Sequence, residues 1–159
     1  MSEVFFIADT HFGHRNICKY RTVFNNPFEH DEYIIEKWNK TIGRRDIIWV
    51  LGDMCIKNEE YNMEYLIDRL NGRINVMPGN HCYLPYYNHR NIELQNGLVS
   101  KYGLWLSHCP IHPNELRGRK YNVHGHVHNE TINDNRYVNV CCEVVGYKPV
   151  SLDKIRKVL

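Results

Sequence analysis

Five short polar clusters carry residue types that suit binding of divalent metal ions. They are Asp9-Thr10-His11, Gly52-Asp53, Gly79-Asn80-His81, Ser107-His108 and His124-Gly125-His126-Val127-His128. Carboxylate, imidazole and amide carbonyl are ligands for Mn, Fe, Zn or Ni. In extended chain, residues two apart face the same way. Asp9 with His11, and His126 with His128, are therefore each expected to aim two donors to one side. A carboxylate such as Asp53 can bridge two ions about 3.5–4 Å apart, the spacing used for in-line displacement at phosphorus. Glycines at positions 52, 79 and 125 allow close approach of the backbone. Any one pair alone is weak evidence, because Asp and His before a turn often bond only to backbone. The five clusters in series, each at a predicted strand end, make a stronger case.

The elements that would position these clusters can be read from the apolar runs. Strands are expected at Val4–Ala8, Ile47–Leu51, Ile74–Met77, Leu104–Leu106, Tyr121–Val123 and Tyr137–Cys141. A helix is expected from Asp31 to Ile42, where Ile34, Trp38 and Ile42 form one stripe. A second is expected from Glu59 to Leu70, with Asn58 as its N-cap and Asn71-Gly72 as its end. Ser151 is expected to cap a last short helix. The first half thus reads β-α-β-α-β and favours a largely parallel sheet. The second half has closely spaced strands and no long helix, which points to hairpins or a second sheet. The polar clusters fall at the carboxyl ends of strands, where open α/β sheets bind ligands.

Composition sets the outer bounds. The chain has 159 residues, ten of them His, with 43% hydrophobic and 24% charged content. That fits a globular protein rather than a disordered one. The net charge of +2 is too near balance for a generic nucleic-acid binder. No apolar run approaches the roughly 20 residues of a membrane helix. No secretory signal is expected at the N-terminus. The six cysteines form no CxxC pair, so reduced thiols and a cytoplasmic location are expected. No repeat or linker is visible, and residues 1–159 read as one domain.

The series DTH, LGD, GNH, SH and GHVH, from Asp9 to His128, resembles the metallophosphoesterase superfamily, the calcineurin-like phosphoesterases. The chain is also similar to a compact subgroup with members in bacteria and phages. That likeness rests on DTHFGHRNI from Asp9, on Trp38-Asn39 and on GYKPVSLD from Gly146. The resemblance implies an α/β fold, a four-layer sandwich of two mixed sheets flanked by helices, with no large cap domain. It implies one metal held by Asp9, His11, Asp53 and His128, and another held by Asp53, Asn80, His108 and His126. It implies Asp53 as the bridge, together with a water or hydroxide, and His81 facing the leaving group. Mn2+ is the first expectation for both ions, with Fe, Zn or Ni as alternatives. Two cations lower the pKa of a shared water and offset charge on phosphate oxygens. His81 has the intrinsic pKa range to protonate a departing alkoxide. The expected reaction is hydrolysis of a phosphate ester without a covalent intermediate.

The sequence departs from the family at two places. Cys82 stands where an acidic residue often follows GNH, and Ile56 where a second Asp often follows GD. Cys55, Cys82 and Cys109 all adjoin the clusters, and small buried residues are the plainer expectation for them. An open site would admit a nucleotide or nucleic-acid phosphodiester. A phosphomonoesterase, a protein phosphatase or a silent scaffold are the alternatives. His14, Arg15 and His124 are candidates for contacts near the metals or the substrate. Arg117, Arg119 and Lys120 are candidates for substrate phosphates. Tyr83, with Tyr86 and Tyr87, could stack a base, although loop packing is favoured for all three. His30, His89 and His112 have no motif context and are expected at the surface.

Overall fold

The computed structural model describes residues 2–119 and 121–158. Among these residues nine strands form two sheets. The strands are β1 (Val4–Ile7), β2 (Ile47–Leu51), β3 (Arg73–Met77), β4 (Ile92–Leu94), β5 (Leu98–Lys101), β6 (Leu104–Ser107), β7 (Asn122–His124), β8 (Tyr137–Asn139) and β9 (Val150–Ser151). The first sheet has the order β4-β3-β2-β1-β9, and the second has β5-β6-β7-β8. Strands β1 to β4 run parallel and β9 is antiparallel. In the second sheet β5 is antiparallel to β6, while β6, β7 and β8 are parallel. Both sheets are therefore mixed.

Alternation along the central strands explains the layers. Phe5, Ile7, Ile48, Val50, Ile74 and Val76 pack on one side against α1 (Pro27–Thr41) and α2 (Met63–Asp68). Phe6, Ala8, Trp49, Leu51 and Met77 pack on the other side against Leu104, Leu106 and Val123 of the second sheet. A strand buried on both faces reads as an unbroken apolar run, which is why β1 and β2 are plain in the sequence. Leu152 and Ile155 of α4 (Leu152–Val158) close the inter-sheet core, and α3 (Cys142–Val145) follows β8. The outer face of the second sheet carries a 3-10 turn, Pro113–Glu115, and the following Leu116 accepts a bond from the Trp105 indole at 2.8 Å. No helix among the described residues is long and apolar enough to cross a membrane.

Several element boundaries differ from expectation. Helix α1 starts four residues early, because the Asn26 side chain accepts the Glu29 N–H and Pro27 fits the first turn. Helix α2 starts at Met63, not Glu59, and its N-cap is Asn62. Asn58 is instead buried, and its amide donates to the Gly13 carbonyl at 2.8 Å. It ties this loop to the one that bears His11. The Ser151 hydroxyl accepts the Lys154 N–H at 3.2 Å, so it does cap α4.

Candidate metal centre

The loops that follow β1 and β2 continue to pair after the strands end. Asp9 N–H donates to the Gly52 carbonyl, His11 N–H to the Asp53 carbonyl and Phe12 N–H to the Met54 carbonyl, at 2.8–3.1 Å. Within this ladder the backbone turns left-handed at Asp9, His11 and Asp53, with φ of 57°, 52° and 47°. His126 and His128 are left-handed too, at 70° and 49°. This corrects the expectation that extended-chain alternation aims these pairs. Left-handed residues aim them instead. A left-handed residue other than Gly costs roughly 1–2 kcal/mol, and such strain collects at functional sites.

The result is two donor groups that share one oxygen. Asp9 Oδ1 lies 3.6 Å from His11 Nε2 and 3.9 Å from His128 Nε2. His11 Nε2 lies 3.9 Å from Asp53 Oδ2, and His108 Nε2 lies 3.5 Å from that same oxygen. Asn80 Oδ1 lies 2.8 Å from His108 Nε2 and 3.0 Å from His126 Nδ1. All seven residues thus converge on one edge, between the two sheets. Cys109, expected to be buried, is exposed, and its sulfur lies within 4.8 Å of ring nitrogens of His108 and His126.

Each carboxylate has one oxygen tied by a backbone N–H and the other turned to the imidazoles. Asp9 Oδ2 accepts the His126 N–H at 2.8 Å and the Cys141 thiol at 3.2 Å. Asp9 Oδ1 is buried and has no hydrogen-bond partner among the described residues, and neither do the ring nitrogens of buried His11. Asp53 Oδ1 accepts the His81 N–H at 2.9 Å, with the Cys82 thiol 3.7 Å away. Burial pushes the Asp53 carboxyl up, but His108 and the His81 amide outweigh it and bring its pKa to about 2. Burial likewise works against a charged His108, yet Asp53 and Asp9 hold its pKa above the ordinary value. Buried oxygen and nitrogen acceptors left without donors, in a field that favours positive charge, fit divalent cations.

A further layer of polar residues grips these loops. Glu143 Oε1 accepts from Arg21 Nε at 2.8 Å and meets His128 Nδ1 at 3.0 Å. A carboxylate behind a ligating imidazole fixes its ring and tautomer. Arg21 is buried and donates to the backbone carbonyls of Asp9 and Thr10. Its guanidinium lies 2.8 Å from His30 Nε2, and His30 Nδ1 lies 2.7 Å from Asp31. Asp31 in turn accepts the Gly13 N–H. His30 is therefore wholly buried, which corrects its expected place at the surface. His89 is also largely covered, 3.5 Å from Asp68, while His112 is exposed. Arg21, Asp31, Cys141 and Glu143 carry no motif spacing, and sequence reasoning missed them.

The remaining candidates fall in different places. A cleft of about 650 Å3 opens over His11 and His128, and His14, Lys19, Tyr20 and His81 also line it. The His14 and His81 rings stand 5.9 and 6.1 Å from the His11 ring. Arg15 is drawn to Glu60 at 3.2 Å. His124 is buried against Tyr137, out of reach of a substrate, which leaves it the expected place behind the metal-binding residues. Arg117 pairs with Glu115, and Arg119 lies over the Trp105 ring. Neither lines the cleft. Lys120 lies outside the described residues. Tyr83 packs edge-on against Tyr86 under Lys57. The hydroxyls of Tyr86 and Tyr87 bond to Asn58 and Cys82. Loop packing, the favoured reading, accounts for these three tyrosines.

Known proteins are similar to this chain in sequence and in fold. A family model described as calcineurin-like phosphoesterase matches residues 3–155. An uncharacterized protein of Methanocaldococcus jannaschii is 35% identical, over all of this chain and 92% of its own length. The gene 66 protein of Mycobacterium phage L5 is 31% identical over 51% of this chain and 40% of its own length. A protein of unknown function from Aquifex aeolicus matches over the full length of both chains, with a TM-score of 0.80 and 24% identity. A Pseudomonas putida nuclease matches 79% of this chain and 61% of its own, with a TM-score of 0.53 and 17% identity. Those two structural likenesses extend to the fold.

Proposed function

Because the chain belongs to the calcineurin-like phosphoesterase family, we propose that it is a metal-dependent phosphodiesterase acting on nucleotide-type or nucleic-acid phosphodiesters. The observation that carries this reading is the shared Asp53 Oδ2 between two sets of donors, beside an open cleft. Asp9, His11, Asp53 and His128 would hold one cation. Asp53, Asn80, His108 and His126 would hold the other. Mn2+ is the first choice, with Fe, Zn or Ni as alternatives. When bound, such a pair supplies a lowered water pKa and positive charge at the phosphate oxygens.

The chain's own residues do the rest. Asp53 is ionised at neutral pH, so both its oxygens are pure acceptors. Its Oδ1 takes the His81 amide, which fixes that backbone beside the shared oxygen. The His81 imidazole is exposed to the cleft and serves as the acid that protonates the leaving alkoxide. Cys82, in place of an acidic neighbour, turns to Asp53 and the Gly79 N–H rather than to the His81 ring. A cleft of about 650 Å3 has room for a diester with groups on both sides of phosphorus, which supports the diester choice. The nuclease among the structural neighbours agrees with this choice, although that likeness is one of fold. Six free cysteines support a reducing compartment such as the cytoplasm.

The test is a substrate panel with Mn2+. It compares bis-p-nitrophenyl phosphate, the monoester, 2′,3′- and 3′,5′-cyclic nucleotides, and short RNA and DNA. Diesters should be cleaved in preference to the monoester. His81→Ala should retain both cations and lose turnover most on substrates with poor leaving groups. Preference for the monoester would replace this reading with a phosphatase. No turnover on any substrate, with both cations bound, would make the chain a scaffold.

A further inference from the structure

The tyrosines after the third cluster are consumed by their loop and do not line the cleft, which leaves one of its own walls to be explained. That wall is the 3-10 turn Ile17–Lys19 and the residue after it, Tyr20. Ile17 is buried and anchors the turn. The Tyr20 and Arg21 N–H groups both donate to the Ile17 carbonyl, at 2.9 and 2.8 Å. Arg21, the next residue, grips the Asp9 carbonyl. Tyr20 therefore stands at a fixed distance from the metal-binding loop. Yet it is 77% exposed, the most exposed large hydrophobic residue described. Its only ring contact among the described residues is an edge against His14, with centroids 6.1 Å apart and planes at 90°. Its hydroxyl has no partner among the described residues. A bare aromatic ring on an anchored backbone, inside a cleft, offers a flat face to a base. Beside it, Lys19 is exposed and has no carboxylate partner among the described residues.

We infer that Tyr20 and Lys19 form a nucleotide subsite, with the Tyr20 ring stacking an unpaired base and Lys19 neutralising a flanking phosphate. This inference rests on the phosphodiesterase reading and narrows it to base-bearing, single-stranded substrates. Stacking needs a base whose face is open, and a duplex hides both faces. The cleft volume suits one nucleotide alongside the reacting phosphate. The charge order agrees. Arg21 does not serve as a counter-ion to a flanking phosphate, since it is buried and committed to Glu143. Among the described residues Lys19 is the cation left on this wall.

The test separates binding from turnover. The Mn2+-loaded protein is titrated into two fluorescently labelled phosphorothioate tetramers, which resist hydrolysis. One is tetrathymidylate, and the other has the same backbone without bases. Wild type should bind the base-bearing tetramer roughly tenfold more tightly, the lower range for one stacked base. Tyr20→Ala should erase that preference and Tyr20→Phe should keep it. Lys19→Ala should weaken both tetramers alike and flatten the salt dependence by about one phosphate contact. Equal binding of the two tetramers by wild type, or a preference that survives in Tyr20→Ala, would overturn the subsite. Hydrolysis of bis-p-nitrophenyl phosphate by wild type is measured in parallel. If that fails while the base preference holds, the diesterase reading falls and the subsite stands.

Discussion

Gly79→Ala is the smallest change that should strike both donor groups at once. A Cβ at position 79 would lie 2.2 Å from Asp53 Oδ1, 2.6 Å from the Asp53 amide nitrogen and 2.8 Å from Asp53 Cγ. Ordinary contact begins near 3.4 Å, so the carboxylate is about 1 Å too close. A side chain could swing aside, but the amide nitrogen is backbone and is held in a left-handed turn. Either Asp53 or the loop of residues 79–82 must therefore shift. Overpacking of this kind costs about 1–3 kcal/mol. The larger effect should be on ions. Asp53 Oδ2 sits 3.9 Å from His11 and 3.5 Å from His108, so its displacement detunes both groups. Loss of support around a ligand typically weakens metal affinity by about 10–100-fold. Calorimetric titration with Mn2+ should show that loss at both sites together. Gly97→Ala is the control, since its Cβ would meet nothing within 4 Å. Two sites of wild-type affinity in Gly79→Ala, or loss of only one, would refute the shared-oxygen argument.

Three further outcomes are expected. Cys141→Val should weaken the cation held by Asp9 about tenfold, while Cys141→Ser restores the donor to Asp9 Oδ2, as read by the same titration. His30 is buried, which drives its pKa below the ordinary 6.5 in spite of Asp31. The unfolded chain then binds the extra proton, so stability is complete above pH 6.5 and falls as pH drops below it. Urea melts of metal-loaded protein at pH 5 and pH 7 should differ less in His30→Gln than in wild type. Trp38 is fully buried and its indole donates to the Asn71 carbonyl, so Trp38→Ala should cost about 3–5 kcal/mol and lower Tm by roughly 10 °C.

What the sequence reveals depends on how each residue is buried. Strands β1 and β2 are covered on both faces, so their apolar runs are continuous and their ends are sharp. The polar clusters stand out because they interrupt those runs. Strands β4 and β5 are mostly exposed and only three and four residues long, too short to show a usable period. Asn58 has the residue type of a helix cap, but its side chain is drawn to Gly13 across a sequence gap that no local pattern records. His30 looks like a surface residue because its neighbours are Glu29 and Asp31. Its burial is decided by Arg21, which reaches it from another segment. The ligand types were legible as chemistry. The left-handed backbone that aims them was not, because Asp and His are common residues in many conformations.

The bonds from His126 and Cys141 to Asp9 join residues 117 and 132 positions apart. During synthesis, Asp9, His11 and Asp53 emerge early and can reach their places in the first sheet. His126 and His128 arrive late, and Cys141 closes on Ala8 later still. No nascent fragment that ends before β7 contains a complete donor set. A cation at this centre would bind the finished fold alone and draw the folding equilibrium toward it, by about 2.7 kcal/mol at a hundredfold excess over its dissociation constant. The centre would then act as a checkpoint on completion of the chain, with metal capture marking the molecules whose two sheets have met.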